Sequence, residues 1–291
     1  PMDVALVTGS STGIGESTVL HLARNNFHVF ATMRNPDAGT GLLETAKSEG
    51  LSLEVLALDV NDAESCSACV NEIVSRVGRI DVLINNAGIG SGGALEEASL
   101  EHIKDVFETN VFGAVRMMQL VLPSMRERHH GAIVNVTSVA GRVANPNMST
   151  YSGSKFALDV MTESLAAEVV RFGIRVALIE PGVIQTPIFS KGSNPPNPES
   201  PYHEFAERAG YWFGVRLEKP TYPQEVAELI EYAIVTDQPK LRYLVGPDAF
   251  SMVAARESLT DEEWMDTGRE MTLEEYARLL RERGISSYLT E

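Results

Sequence analysis

The feature that most constrains this chain is an alternation. Short apolar runs at 4–8, 29–33, 53–58, 82–85, 132–136, 176–180 and 241–245 are separated by longer stretches, and those at 14–24, 63–77, 100–128, 152–172 and 223–235 carry apolar residues at helical spacing. β-Branched and aliphatic runs flanked by amphipathic helices are how strand and crossover helix succeed each other in a parallel sheet covered on both faces. Because such crossovers are right-handed, every strand ends on the same edge of the sheet, and that edge is where a doubly wound sheet holds its ligand. The expected fold class is α/β, a single doubly wound parallel sheet of about seven strands with helices on both faces.

Two stretches interrupt the pattern. Residues 187–222 begin rich in Pro, Gly and Ser and continue with Tyr202, Phe205, Tyr211, Trp212 and Phe213. A connection that long in a compact domain is usually functional, and the spacing predicts a lid. The tail at 251–291 forms a C-terminal helical extension to a main domain at 1–250. Within it Thr272 and Glu275 make a capping box, Leu273, Tyr276, Leu279 and Leu280 share one face, and Gly284 supplies the stop.

Charge and ligand-type residues remove several functions. A formal net charge of -16 argues against a nucleic-acid partner, since tracking a phosphate backbone requires clustered Lys and Arg. No apolar run approaches the roughly 20 residues that a membrane helix requires, so no membrane span and a cytoplasmic location are expected. Cys66 and Cys69 make a C-x-x-C pair on a helical pattern with no second pair, which reads as two packed thiols. No HExxH or other paired-ligand spacing is present, and no metal is expected.

The chemistry gathers at three places. Thr8-Gly-Ser-Ser-Thr-Gly-Ile-Gly15 follows the first run and opens a helix. Gly9, Gly13 and Gly15 allow a tight turn and a close backbone approach to a pyrophosphate, and the helix N-terminus offers free N–H groups and the positive end of its dipole. Tyr151 and Lys155 sit one helical turn apart, with Cβ atoms about 5 to 6 Å from each other. An ammonium so close favours the phenolate, and lowering the tyrosine pKa by about 2 to 3 would take roughly 3 to 4 kcal/mol. Ser138, at the end of the fifth run, is placed to hydrogen-bond a developing alkoxide.

Taken in order, these motifs resemble the short-chain dehydrogenase/reductase family over residues 3 to about 250. The T-G-x-x-x-G-x-G turn looks like its cofactor signature. Asn85-Asn86-Ala87-Gly88, Asn110, Ser138, Tyr151-Ser-Gly-Ser-Lys155 and Pro181-Gly182 follow in the family's sequence order. The resemblance implies a Rossmann-type fold and an enzyme interconverting a carbonyl and an alcohol. Ser138 would orient the substrate, Tyr151 would transfer the proton, Lys155 would also hold the nicotinamide ribose, and Asn110 would support a water-linked proton path. It implies cofactor contacts from Gly9, Ser11, Thr12, Gly13, Ile14, Gly15, Asn86, Ala87, Gly88, Pro181 and Gly182. Asp59 and Val60 would meet the adenine, and Thr186 the carboxamide.

Three further expectations follow. At the end of the second run, Met33 takes the position where an NAD-selective enzyme places an acid, and Arg34 follows it; a guanidinium clamps a phosphate, so NADP(H) is expected to be preferred over NAD(H). Residues 29–35 also resemble the hydroxysteroid and retinol dehydrogenase branch, and Phe205, Trp212 and Met148 suggest an apolar pocket for a bulky steroid-, retinoid- or aryl-ketone-like small molecule. The family's helix contacts imply a homodimer or homotetramer through 100–128 and 152–172, the latter carrying Leu158, Met161, Leu165 and Val169.

Overall fold

The structure, a computed structural model, describes residues 2–186 and 197–289. Its strands are β1 (Val4–Val7), β2 (His28–Met33), β3 (Leu53–Ala57), β4 (Val82–Asn85), β5 (Gly131–Val136), β6 (Ile174–Pro181) and β7 (Arg242–Val245). They form one seven-stranded sheet in the order β3-β2-β1-β4-β5-β6-β7. Every pairing is parallel. The order reverses between β1 and β4, so the crevice of a doubly wound sheet opens beyond the carboxyl ends of these two strands. The fold class is the one the alternation predicts.

The helices, in chain order, are α1 (Gly13–Arg24), α2 (Thr40–Glu49), α3 (Ala63–Val77), α4 (Leu100–Phe107), α5 (Gly113–Arg128), α6 (Ser149–Val169), α7 (His203–Arg216), α8 (Pro223–Val235), α9 (Pro247–Ser258), α10 (Asp261–Met265) and α11 (Leu273–Glu282). One face of the sheet packs on α1 and α8 through Val19, Leu22, Val226 and Ile230. The other packs on α3, α5 and α6 through Ile73, Met117, Met125 and Leu158. All of these side chains are buried, which is why the strands can be apolar on both faces.

A third cluster joins Val139 and Val143 to α9 and α11 through Met252, Val253, Tyr276 and Leu280, with Trp212 of α7 packed against it. The C-terminal residues are thus built onto the region just beyond β5 and onto α7. The expected boundary between residues 250 and 251 falls inside α9.

Several elements differ from the sequence reading. The 100–128 helix is interrupted: Glu108–Phe112 forms a π-turn between α4 and α5. Helix α2 was not expected; only Leu42 and Ala46 of it are buried, so it carries too few apolar residues to announce a face. Of the expected lid, residues 187–196 lie outside the described residues, and α7 occupies much of the remainder. The tail helix forms with its capping box at Thr272 and Glu275, but Leu273 is exposed while Tyr276 and Leu280 are buried. In α6 the stripe proposed for assembly divides. Leu158 and Val169 are buried and Leu165 packs against them, whereas Met161 is exposed. Phe156 and Val160, not the stripe, share that exposed side with Met161. The helix carries apolar residues all round, so spacing alone could not say which face turns inward.

Candidate active site

The glycine turn is built from close approaches. Gly9 has φ +67, and a Cβ there would stand 2.7 Å from the Ala87 Cα. At Gly15 a Cβ would lie 2.3 Å from the Gly9 carbonyl oxygen, so a side chain at either position would push the turn apart. Asn86 braces the same turn: its Nδ2 donates to the carbonyls of Thr8 and Gly9, both at 3.0 Å. The Thr8 hydroxyl accepts in return from the backbone N–H groups of Asn86 and Ala87. Thr12 occupies the N-cap of α1 without a side-chain capping bond, leaving the helix N-terminus to whatever enters the crevice.

A cavity of about 340 Å³ runs along the strand ends from this turn to α6. Its lining includes Gly9, Ser11, Thr12, Gly13, Ile14, Arg34, Asp59, Val60, Asn86, Ala87, Gly88, Ser138, Tyr151, Lys155, Pro181, Gly182 and Thr186. Of the residues expected at the cofactor, Gly15 alone does not line it, and its place against Gly9 explains why. Met33, Asn61, Thr109 and Thr137 line the same cleft without having been singled out as site residues. Only the position of Met33 at the end of β2 gave a signal for them.

At the far end of the cleft Ser138 sits two residues beyond β5, its backbone extended, where its Oγ accepts from the Ala140 N–H at 3.1 Å and donates to the Pro181 carbonyl at 3.4 Å. It therefore caps the short turn Val139–Gly141 and faces the cleft at once. Burial pushes the Tyr151 phenol above its ordinary range, and the hydrogen bond with Ser138 opposes this. The expected depression by Lys155 is not seen in the chain alone: the Nζ lies 5.7 Å from the centre of the tyrosine ring, and the phenol is raised. Lys155 is buried, donates to the Val136 carbonyl at 3.2 Å, and burial lowers its pKa to about 8. Among the described residues no carboxylate pairs with it.

Asn110 is held inward by the π-turn. Its Oδ1 accepts from the Ile89 N–H at 2.8 Å, and its Nδ2 donates to the Ile89 carbonyl at 3.0 Å and to the Ser154 hydroxyl at 3.1 Å. It does not line the cleft; it secures the loop after β4 to α6, and a Cβ on Gly88 would stand 3.3 Å from its Oδ1. Met148, Phe205 and Trp212 line a second cavity of about 30 Å³ with Arg208, Arg216 and Tyr276. They are gathered together, but in a different cavity from Ser138 and Tyr151.

Groups that could carry other chemistry are engaged. Cys66 and Cys69 are buried, and burial pushes the Cys69 thiol up to about 12. Asp3, Asp81 and His130 approach one another, but the Asp81 carboxylate already accepts from Arg79 at 2.7 Å, from Arg128 at 2.6 Å and from the Val4 N–H at 3.0 Å.

A parallel doubly wound sheet with a braced glycine turn at the order reversal and a Ser, Tyr, Lys group further along the same edge defines a nucleotide-binding oxidoreductase of the Rossmann class. The family model described as short chain dehydrogenase matches residues 3–196, and the chain belongs to that family. The uncharacterised oxidoreductase YusZ of Bacillus subtilis (strain 168) is 39% identical over 251 residues, spanning 84% of this chain and 89% of that protein. The 17-beta-hydroxysteroid dehydrogenase type 1 of Mus musculus is 39% identical over 254 residues, spanning 82% and 72%. A crystal structure of a short-chain dehydrogenase from Streptomyces avermitilis matches with a TM-score of 0.79 at 34% identity, covering 93% of this chain and 100% of that one. The resemblance to the hydroxysteroid branch holds at this level. Among the described residues no helix is long and apolar enough to cross a membrane.

Proposed function

We propose that this protein is an NADP(H)-dependent oxidoreductase interconverting a carbonyl and an alcohol on a bulky apolar substrate, with Tyr151 as its acid/base. The observation that carries this is the convergence of Ser138, Tyr151 and Lys155 at one end of the cleft whose other end is the glycine turn. The residues fit a dinucleotide. Gly9 and Gly15 leave no room for a Cβ, the end of α1 is uncapped by any side chain, and a buried lysine without a carboxylate partner lines the cleft. When bound, the nicotinamide supplies the hydride.

The chain supplies orientation and the proton. Ser138 and Tyr151 line the same end of the cleft, so one substrate oxygen can accept from both hydroxyls once Ser138 turns its proton from the Pro181 carbonyl. Burial keeps the phenol protonated near neutral pH, which is the form that donates to the oxygen of a carbonyl being reduced. Lys155, with its pKa near 8, would hold the ribose by donated hydrogen bonds, and its positive charge would assist the phenolate left after proton transfer. Asn110 acts at one remove by holding the Ile89 loop against Ser154.

NADP(H) is preferred over NAD(H) in this reading because Arg34 lines the cleft and is exposed, while Met33 stands where an acid would repel a 2′-phosphate. A steroid-, retinoid- or aryl-ketone-like substrate is supported by the name of the mouse relative; the cavity around Met148, Phe205 and Trp212, about 30 Å³ and separate from Ser138 and Tyr151, is too small to hold such a molecule. Assembly as a homodimer or homotetramer rests on Phe112, Phe156, Val160 and Met161, exposed apolar residues of the π-turn and α6.

The test is Tyr151→Phe. Turnover, followed by nicotinamide absorbance with a panel of steroid, retinoid and aryl ketones, falls by at least about 100-fold, while NADPH affinity stays within about twofold. Near-normal turnover by the variant refutes the assignment.

A further inference from the structure

The turn that follows β6 is clamped by the end of β7 and by residues outside the sheet. Gly182 N–H donates to the Val245 carbonyl at 2.9 Å, Val183 N–H to the Asp248 carboxylate at 2.8 Å, and Gln185 N–H to the Thr221 carbonyl at 2.9 Å. Gly182, Ile184 and Thr186 of the same segment line the large cleft. Asp248 is almost fully buried, at 3% exposure, in the first turn of α9, where the helix dipole favours a carboxylate. It presses so closely on the turn that a Cβ on Gly182 would stand 2.1 Å from its Oδ1.

The partner of that carboxylate comes from α7. Arg216, 5% exposed, places its Nε 3.6 Å from Asp248 Oδ2, and its guanidinium lies 4.1 Å from the centre of the Trp212 ring. Met252 also contacts it. Arg216 and Trp212 line the small aromatic cavity together with Met148. A buried ion pair is a costly way to join two segments, because each charge has been taken out of water and depends on the other. Here it joins the helix that lines the small cavity to the turn that lines the large one.

We infer that Asp248 and Arg216 are positioning residues that couple the docking of α7 to the placement of the 182–186 segment, and hence to dinucleotide binding. The inference rests on the cofactor reading above and extends it to residues that do not line the large cleft. A carboxylate that holds Val183 N–H and faces Arg216 carries any displacement of α7 into the turn. By reciprocity, a ligand that fixes the turn stabilises docked α7.

The test uses the full chain and the variants Arg216→Met, Arg216→Lys and Asp248→Asn, each first shown to be folded by far-UV circular dichroism. The side-chain amide introduced by Asp248→Asn can still accept from Val183 N–H, so that variant removes the charge pairing and leaves the hydrogen bond. NADPH dissociation constants are measured by fluorescence titration, and amide hydrogen exchange of α7 is measured with and without saturating NADPH. In the unmodified protein NADPH slows exchange in α7. In Arg216→Met and Asp248→Asn that protection is lost and the dissociation constant rises about tenfold, with Arg216→Lys intermediate. A merely structural role would lower the melting temperature without abolishing the NADPH-dependent protection. A folded Arg216→Met or Asp248→Asn that binds NADPH within about twofold of the unmodified protein and keeps that protection overturns the inference. Should Arg216→Met not fold, Asp248→Asn and Arg216→Lys decide by the same criteria. Failure of the unmodified protein to bind NADPH or NADH refutes the cofactor reading itself.

Discussion

Lys155→Met should make the protein more stable while removing its activity. The lysine is 5% exposed, and burial lowers its pKa from 10.5 to about 8. At pH 7 the ammonium is charged in both the folded and unfolded chain, and the fall in pKa means that folding with this charge costs about 3 kcal/mol relative to folding with a neutral side chain. Methionine is similar in length, unbranched and uncharged, and removes that cost. It also removes the hydrogen bond to the Val136 carbonyl, worth about 1 kcal/mol. The net expectation is a gain of about 2 kcal/mol at pH 7. The sign reverses the usual gain from an ionised partner. Between pH about 8 and 10.5 the unfolded lysine holds a proton that the folded one has released, so this group makes stability rise with pH across that window. Urea denaturation followed by tryptophan fluorescence at pH 7 and again near pH 10 measures both effects. The variant should lead at pH 7, and its lead should shrink near pH 10. A variant less stable than the unmodified protein at pH 7, with a difference independent of pH, would refute the reasoning.

Other perturbations test separate parts of the reading. Met33→Asp should shift preference toward NAD(H), and Arg34→Ala should weaken NADPH binding selectively, both seen in the ratio of kcat/KM for the two cofactors; equal efficiency of the unmodified protein with both would count against the preference. Phe156→Arg combined with Val160→Glu should dissociate the assembly, and light scattering that finds the unmodified protein monomeric at micromolar concentration would end that proposal. Asp81→Asn should cost about 3 kcal/mol in urea denaturation, because it leaves Arg79 and Arg128 without their shared buried partner. Burial by itself would raise the Asp81 pKa, but the Val4 N–H and the two guanidinium groups outweigh it and hold it below the ordinary value. Its contribution is therefore present above the unfolded pKa of 3.8 and lost as pH falls through the folded one, so an acid titration of stability should be flatter in the variant.

The strands and the cleft were readable in the sequence because both depend on local pattern. A strand covered on both faces must be apolar throughout, so each run marks its own element, and β1, β2 and β4 fall within a residue or two of the runs at 4–8, 29–33 and 82–85. Parallel, right-handed crossovers then bring the ends of those strands together, which is why Gly9, Asn86, Ser138, Tyr151 and Lys155 line one cavity although they are scattered along the chain. Only the tertiary structure decided what depends on partners distant in the chain. Leu158 and Val169 turn inward and Phe156 and Val160 outward because the sheet covers one side of a helix that is apolar all round. Asn110 turns inward because of a π-turn and bonds Ile89, a geometry that no spacing announces. Tyr151 shares a helical turn with Lys155, as the interval of four residues requires. The upward direction of its pKa comes from burial, which outweighs the opposing effect of Ser138, and both are set by how α6 lies across β5. Arg216 and Asp248 look like ordinary charges of a solvated chain, and only the fold takes both out of water and sets them against each other. Periodicity and motif order act through neighbours in sequence, so the chain determined its sheet, its turn and the edge where its chemistry lies. Burial of a charge or of a helix face is a property of the packed whole.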